Sequence, residues 1–97
     1  MKQSVLVIDD DPAVHQLLAA ALEAEGYDLR FANNGAEGLR LARELKPAVI
    51  TLDVIMPEMD GYATLAEIQG DPGLRHIPVI MISSFDEMDS EIGRAHV

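Results

Sequence analysis

The sequence predicts an α/β protein built on a doubly wound parallel sheet of four strands. Four short apolar runs alternate along the chain with stretches in which apolar residues recur at helical spacing. Every connection between successive runs is long enough for a crossover helix, and no hairpin signal interrupts the alternation. Strands joined in this way lie parallel with right-handed crossovers, and their helices cover both faces of the sheet.

Length and composition fit one small globular domain. The chain has 97 residues, of which 48% are hydrophobic, and it contains no cysteine, so disulfides and thiolate metal sites are excluded. The net charge of −10 favours cation binding, and we expect no nucleic-acid partner for this segment. The apolar run at residues 5–8 is too short for a signal peptide or a membrane span, so we expect a cytoplasmic protein without membrane contact.

The first strand is predicted at residues 4–8, and the first helix starts at Pro12. Asp11 precedes this proline as a suitable N-cap, and Gly26 is predicted to end the helix. His15 lies off the predicted apolar face, and we interpret it as a solvated helix residue because a metal-binding histidine needs partners at matching spacing. The predicted apolar face of the helix consists of Val14, Leu17, Leu18, Ala21 and Leu22.

The second unit repeats this plan. Residues 28–32 are predicted to form a short strand near a sheet edge, since polar and apolar side chains alternate there. Asn34 begins the second helix, and Glu37 can return a hydrogen bond to the amide of Asn34 as in a capping box. Lys46-Pro47 ends this helix, and the apolar residues 49–52 form a central strand.

The last two units follow a loop that contains Met56-Pro57 and ends at Asp60. Asp60 is predicted to cap a third helix, which ends at the Gly-Asp-Pro-Gly sequence of residues 70–73. Residues 79–82 form the fourth strand, which leads into Ser83. Residues 85–97 have apolar side chains at helical spacing and are predicted to form a fourth helix.

Aspartates follow two of the predicted strands. Asp9 and Asp10 come after the first strand, and Asp53 comes directly after the third. If the strand order reverses between these strands, their carboxyl ends flank one crevice, where three carboxylates repel each other unless a cation neutralises them. Oxygen donors alone favour Mg²⁺. Asp53 is then a candidate nucleophile that accepts a phosphoryl group as an acyl phosphate, and the Ser83 hydroxyl could bind that phosphate. In the simplest structural alternative, the aspartates only cap a loop and a helix.

Three segments, VLVIDDDP, LDVIMPEMDG and PVIMISS, resemble the receiver domain of two-component response regulators in their order and spacing. The resemblance covers essentially the whole chain. It implies a flavodoxin-like, three-layer α/β/α fold with strand order 2-1-3-4 for the four strands present. It also implies that a sensor histidine kinase or a phosphotransfer protein donates a phosphoryl group to this chain, which then changes its binding to other proteins.

The same resemblance assigns roles to individual residues. Asp53 is implied to be the phosphoacceptor, and Ser83 the switch hydroxyl. Mg²⁺ is implied to be bound by Asp10 directly, by Asp9 largely through water, and by Asp53 and the backbone carbonyl of Ile55. The loop that shapes the site is implied to depend on Pro57 and Gly61.

The chain also departs from the family pattern. A complete receiver has a fifth strand that ends in a lysine, and a fifth helix, and neither is found in residues 1–97. We therefore expect a receiver domain that lacks its last strand and helix. The fourth strand, apolar on both faces, would then be a sheet edge that invites pairing with another chain, so a homo-oligomer formed through this edge is possible.

Two other functions stay open. A truncated or degenerate receiver would serve only as a binding or oligomerisation module that is never usefully phosphorylated. Alternatively, Asp9 and Asp11 would be the acid pair of a haloacid-dehalogenase-like phosphohydrolase. Ala13 disfavours that enzyme, because a hydroxyl or branched residue is preferred there, and no cap-domain segment exists. We therefore expect that the chain is not an enzyme.

Overall fold

The computed structural model describes residues 3–54 and 60–82, in which four strands alternate with three helices. The strands are β1 (Ser4–Ile8), β2 (Asp28–Ala32), β3 (Val49–Asp53) and β4 (Val79–Ile82), and the helices are α1 (Pro12–Glu23), α2 (Gly35–Leu45) and α3 (Gly61–Gly70). All neighbouring strands pair in parallel in the order β2-β1-β3-β4, which confirms the predicted fold and strand order. The fourth helix predicted at residues 85–97 lies outside the described residues.

The register of the sheet places the ends of β1 and β3 side by side. Ile8 is aligned with Ala32 on one side and with Leu52 on the other. The chain leaves β1 towards β2 and later returns past β1 to form β3, so the direction of winding reverses between β1 and β3. Asp9 follows Ile8 and Asp53 follows Leu52, so the two aspartates lie side by side beyond these aligned residues. This is the position where open α/β sheets bind their ligands.

Apolar side chains cover both faces of the sheet, because successive residues of a strand point to opposite sides. On the side of α2 and α3, the buried cluster is formed by Leu6, Ile8, Ala32, Leu39, Ala42, Ile50, Leu52, Ile68, Leu74 and Ile77. On the side of α1, the buried residues are Val5, Val7 and Leu29. Burial on both faces explains why the strands appear in the sequence as continuous apolar runs.

Side-chain oxygens cap the three described helices at the predicted residues. Asp11, Asn34 and Asp60 each accept a hydrogen bond from a backbone amide in the first turn, at 2.8 to 2.9 Å. The predicted partner of Glu37 was wrong by one residue, since its carboxylate accepts from the amide of Asn33 at 2.7 Å. The extended backbone at Asn34 brings this preceding amide within reach of the helix.

The first helix ends at Glu23, and Gly26, the residue predicted to close it, has a φ of 92° in the turn that follows. The amides of Gly26 and Tyr27 donate to the carbonyl oxygens of Glu23 and Leu22 at 3.0 and 3.2 Å. This pattern is a Schellman motif, which requires a left-handed residue and therefore favours glycine.

The predicted apolar face of α1 was wrong in part. Leu17 is 70% exposed, and α1 contributes no fully buried side chain. The helix packs on the sheet through Leu18, Ala19 and Leu22. His15, predicted to be solvated, is instead half-buried, because the ring of Phe31 on β2 offers it a stacking surface with a centroid distance of 4.8 Å.

Thr51 in the middle of β3 provides a test of the core. Its Oγ1 is buried and has no hydrogen-bond partner among residues 3–54 and 60–82. Because an unpaired buried hydroxyl costs about 1–3 kcal/mol, we expect Thr51→Val to raise the free energy of unfolding by about 1 kcal/mol. Urea unfolding should show this as a higher midpoint with an unchanged slope.

Thr64 is the matched control for this substitution. It is fully buried in α3, but its Oγ1 donates to the carbonyl oxygen of Asp60 at 3.0 Å. Thr64→Val removes this bond and should lower the midpoint. Equal destabilisation by both substitutions would contradict the assignment of Thr51 as an unpaired group.

Candidate metal centre

Three carboxylates converge at the ends of β1 and β3. One oxygen from each of Asp9, Asp10 and Asp53 can be chosen so that all three lie within 4.8 Å of one another. Asp9 and Asp53 are only 4% and 6% exposed, whereas Asp10 is open to solvent. The convergence predicted from the reversal of strand order is therefore confirmed, although more than forty positions separate these residues along the chain.

Asp9 is fixed by hydrogen bonds on its backbone and its side chain. Its amide donates to the carbonyl oxygen of Ala32 on β2 at 3.0 Å. Its Oδ1 accepts from the amide of Asp11 at 2.9 Å, and its carbonyl oxygen lies 2.7 Å from Nε2 of His15. These three bonds connect the residue to β2, to the start of α1 and to the side of α1.

The electrostatics of the pocket favour a cation. Burial raises the pKa of Asp9 above its ordinary value of 3.8, and the negative charge of Asp10 raises that pKa further. The hydrogen bond from the Asp11 amide and the nearby His15 act in the opposite direction. Three carboxylates without a nitrogen or sulfur donor form a ligand set suited to a hard cation, so this acidic triad is able to bind a metal ion.

Gly61, the first residue of α3, packs against the main chain at the end of β3. Its amide donates to the carbonyl oxygen of Val54 at 2.9 Å. A Cβ atom at this position would lie 2.7 Å from the Cα of Val54 and 2.9 Å from the carbonyl carbon of Asp53, and it would collide with the Asp53 carbonyl oxygen. Only glycine allows α3 to start this close to the end of β3.

Three residues predicted for the site lie outside the described residues. They are Ile55, whose carbonyl was expected to bind the metal, Pro57 of the neighbouring loop, and Ser83, the expected switch hydroxyl. Their roles stay predictions.

Sequence reasoning missed the contact between His15 and Asp9. A usable signal was present, because Phe31 is the second-last residue of an alternating strand and belongs to the same face as Leu29. An aromatic side chain at that position can hold a ring from the first turn of α1, and this brings the imidazole next to the end of β1.

The raised pKa of Asp9 leads to a prediction about stability in the absence of metal. Between pH 3.8 and the raised pKa, the folded protein binds more protons than the unfolded chain. The contribution of Asp9 to the free energy of unfolding therefore falls as the pH rises through this window. We expect Asp9→Asn to be more stable than the wild type at neutral pH without metal, and the difference to disappear below the window.

Urea unfolding at a series of pH values in the presence of a chelator measures this difference. Asp11→Asn is the control, because it removes the same charge two residues away and keeps a side-chain oxygen for the cap. A difference between wild type and Asp9→Asn that grows as the pH falls would contradict the prediction.

A parallel sheet with an acidic triad at its switch point defines a class of small α/β domains with a site that is able to hold a cation. Within that class, residues 5–95 match the response regulator receiver domain family, and the chain belongs to this family. The haloacid-dehalogenase alternative is not supported, since the family consists of receiver domains and not of classical enzymes. No helix within residues 3–54 and 60–82 has the length and apolar character needed to cross a membrane.

Relatives and solved structures agree with this assignment. The response regulator PleD of Caulobacter vibrioides (strain NA1000 / CB15N) is 42% identical over 86 residues, which are 89% of this chain and 19% of PleD. The chain spans only 19 to 40% of the length of several such relatives. The crystal structure of the N-terminal domain of a response regulator receiver protein from Methanoculleus marisnigri JR1 has a TM-score of 0.79 and 35% identity, covering 93% of this chain and 76% of that one.

One similar structure contains a metal ion. It is the receiver domain of the sensor histidine kinase PA1611 from Pseudomonas aeruginosa PAO1, with a magnesium ion coordinated in its active site cleft. It has a TM-score of 0.79 and 27% identity, and the match covers 84% of this chain and 66% of that chain. The present chain has an acidic triad that is able to bind a metal ion, and the magnesium ion belongs to this similar structure.

Proposed function

We propose that Asp53 of this receiver domain accepts a phosphoryl group, with Mg²⁺ bound by Asp9, Asp10 and Asp53. The observation that carries this proposal is the approach of three carboxylates to within 4.8 Å of one another at the ends of two neighbouring strands. Like charges are assembled at such short range in functional sites, where a cation offsets their repulsion. Membership of the receiver family supports phosphoryl transfer as the reaction class.

The chemistry follows from the carboxylate of Asp53. One of its oxygens forms a bond to the phosphorus atom of a phosphohistidine, and the bond between phosphorus and the imidazole nitrogen breaks. The electron pair of the broken bond stays on that nitrogen. Bound Mg²⁺ supplies the positive charge that allows an anionic phosphoryl group to enter an acidic pocket. We assign the Ile55 carbonyl to the metal shell and the Ser83 hydroxyl to the phosphate.

The proposed donor is a sensor histidine kinase or a phosphotransfer protein in the cytoplasm. A phosphoryl group on Ser, Thr or Tyr adds a charge of about −1.5 to −2. A comparable addition at Asp53 changes the charge of the surface around the ends of the strands. We propose that this change switches the binding of a protein partner. The acidic chain, with its net charge of −10, is not proposed to bind nucleic acid through this segment.

A second function is favoured by the outer strand of the described sheet. Ile80 on β4 is 55% exposed, while Val79 and Met81 of the same strand pack against the core. An apolar outer strand can pair with a second copy, which would make the chain an oligomerisation module. Sedimentation velocity over a concentration series tests this alternative, and a stable monomer at the highest concentration would contradict it.

Intact-mass analysis tests the proposed phosphoryl transfer. The chain is incubated with acetyl phosphate with and without Mg²⁺, beside Asp53→Asn and the charge-matched control Asp11→Asn. We expect the wild type and Asp11→Asn to gain one phosphoryl group only with Mg²⁺, and Asp53→Asn to gain none. A gain that persists in Asp53→Asn, or no gain in the wild type, would overturn the proposal.

A further inference from the structure

We infer that His15 is a positioning residue for the acidic triad, because its imidazole N–H fixes the peptide group that joins Asp9 to Asp10. This inference rests on the function proposed above for the acidic triad and adds a residue on α1 to that site. In this arrangement the metal affinity of the carboxylates depends on a hydrogen bond from a side chain that does not touch the metal.

The geometry assigns the proton on the His15 ring. Nε2 lies 2.7 Å from the carbonyl oxygen of Asp9, and a carbonyl oxygen can only accept a hydrogen bond. Nε2 must therefore carry hydrogen. The ring itself is held against Phe31 of β2, with a centroid distance of 4.8 Å and an angle of 27° between the planes. The orientation of the imidazole is thus fixed by its attachment to α1 and by its stacking on β2.

This hydrogen bond acts on the link between two of the proposed ligands. The carbonyl group of Asp9 and the amide of Asp10 belong to one planar peptide unit, so fixing the oxygen also fixes the plane from which Asp10 projects. The other constraints on Asp9 lie elsewhere, on its own amide and on its carboxylate. Asp10 is exposed, and neighbouring side chains do not enclose it as they enclose Asp9. The direction of its carboxylate is therefore more sensitive to the orientation of this plane.

A purely structural role for His15 would depend on the ring and not on the donor. The stacking on Phe31 contributes to the packing of α1, a helix without a fully buried side chain. Two substitutions separate the effects. His15→Phe keeps an aromatic ring and removes the N–H, whereas His15→Gln keeps an amide N–H of similar reach and removes the ring.

Magnesium titration of ¹⁵N-labelled protein, followed at the backbone amides, measures the affinity of each variant. We expect His15→Phe to raise the Kd for Mg²⁺ by about 3- to 10-fold, the effect of losing one hydrogen bond, and His15→Gln to stay within about twofold of the wild type. Without Mg²⁺, a long-range ¹H–¹⁵N spectrum of the wild-type imidazole should show hydrogen on Nε2. His15→Met, which also lacks a donor, replaces His15→Phe if that variant gives no folded spectrum.

The outcomes separate this inference from the proposed function. If the wild type binds Mg²⁺ in an Asp53-dependent way and the variant without a donor binds it equally well, the inference is wrong and the proposed function stands. Equal weakening by His15→Gln and His15→Phe also overturns the inference, because the ring would then be the important group. If the wild type binds no Mg²⁺, the proposed function fails first.

Discussion

Replacing Gly61 with alanine is expected to lower the free energy of unfolding by about 3 kcal/mol or more, at the upper end of the cost of overpacking. The added Cβ would meet main-chain atoms of Asp53 and Val54 at distances below 3 Å. Main-chain atoms of a central strand cannot rotate away as a side chain can. The strand end or the start of α3 must move, and either movement displaces the carboxylate of Asp53.

The same substitution should therefore reduce phosphorylation as well as stability. Acetyl phosphate labelling of the folded fraction, measured by intact mass at low temperature, is expected to fall well below that of the wild type. Loss of labelling in protein that is still folded separates displacement of Asp53 from simple unfolding. Urea unfolding supplies the stability measurement, and a loss of this size corresponds to a fall in Tm of more than about 10 °C for a domain of this length.

Gly70, at the other end of the same helix, is the matched control. A Cβ there has no neighbour within 4 Å among the residues that the structure describes. Gly70→Ala removes backbone freedom from the unfolded chain, and we expect a gain of about 0.4–1 kcal/mol. If Gly61→Ala and Gly70→Ala unfold at the same urea concentration, the close approach of α3 to β3 is not as the structure shows.

The strands were predictable because a parallel sheet is covered on both faces. The first two strands, residues 4–8 and 28–32, have the predicted bounds, and the third extends the predicted run by one residue to Asp53. Apolar runs of four or five residues between turn signals are too short for buried helices, so their length alone favours strands. The N-caps were equally predictable from the sequence, and they are Asp11, Asn34 and Asp60. A side-chain oxygen before a helical pattern accepts hydrogen bonds from backbone amides that have no other partner.

The orientation of α1 was not predictable in the same way. Periodicity groups Leu17 with its neighbours on one stripe, but it does not show which edge of that stripe faces the sheet. Here the ring of His15 stacks on the ring of Phe31, and Leu17 lies on the exposed side of α1. The deciding contact joins residues on different elements, so it depends on tertiary packing and leaves no periodic signal.

The acidic site was predictable in its composition and not in its fine geometry. The order of the strands brings Asp9 and Asp53 to one crevice, and this order could be expected from the alternation of elements together with the family resemblance. Individual contacts within the site could not be expected in this way. Gly61 contacts the main chain of β3, and His15 donates to Asp9. Both contacts depend on the exact positions of α3 and α1 against the sheet.

The second large effect is expected from Asp10→Asn, which should raise the Kd for Mg²⁺ by at least about 10-fold, a loss of about 1.4 kcal/mol. Asp10 is the exposed member of the triad and is proposed to bind the metal directly, and Mg²⁺ depends strongly on charged oxygen ligands. The amide oxygen of asparagine keeps the shape and removes the charge. Isothermal titration calorimetry of wild type and variant gives the two constants.

Asp11→Asn distinguishes loss of a ligand from loss of charge. Asp11 lies next to Asp10, carries the same charge and belongs to no described metal-ligand group, while its side chain accepts from Ala13 as the cap of α1. Asparagine keeps that cap, and its backbone N–H still reaches Asp9. We expect the Kd of Asp11→Asn for Mg²⁺ to change by no more than about twofold, because an exposed charge at longer range is screened by salt.

The melting temperature gives a second measurement of the same difference. Mg²⁺ should still raise the Tm of Asp11→Asn and have little effect on the Tm of Asp10→Asn at the same concentration. Equal losses in the two variants would mean that Mg²⁺ responds to the overall charge of this segment and that Asp10 is not a ligand.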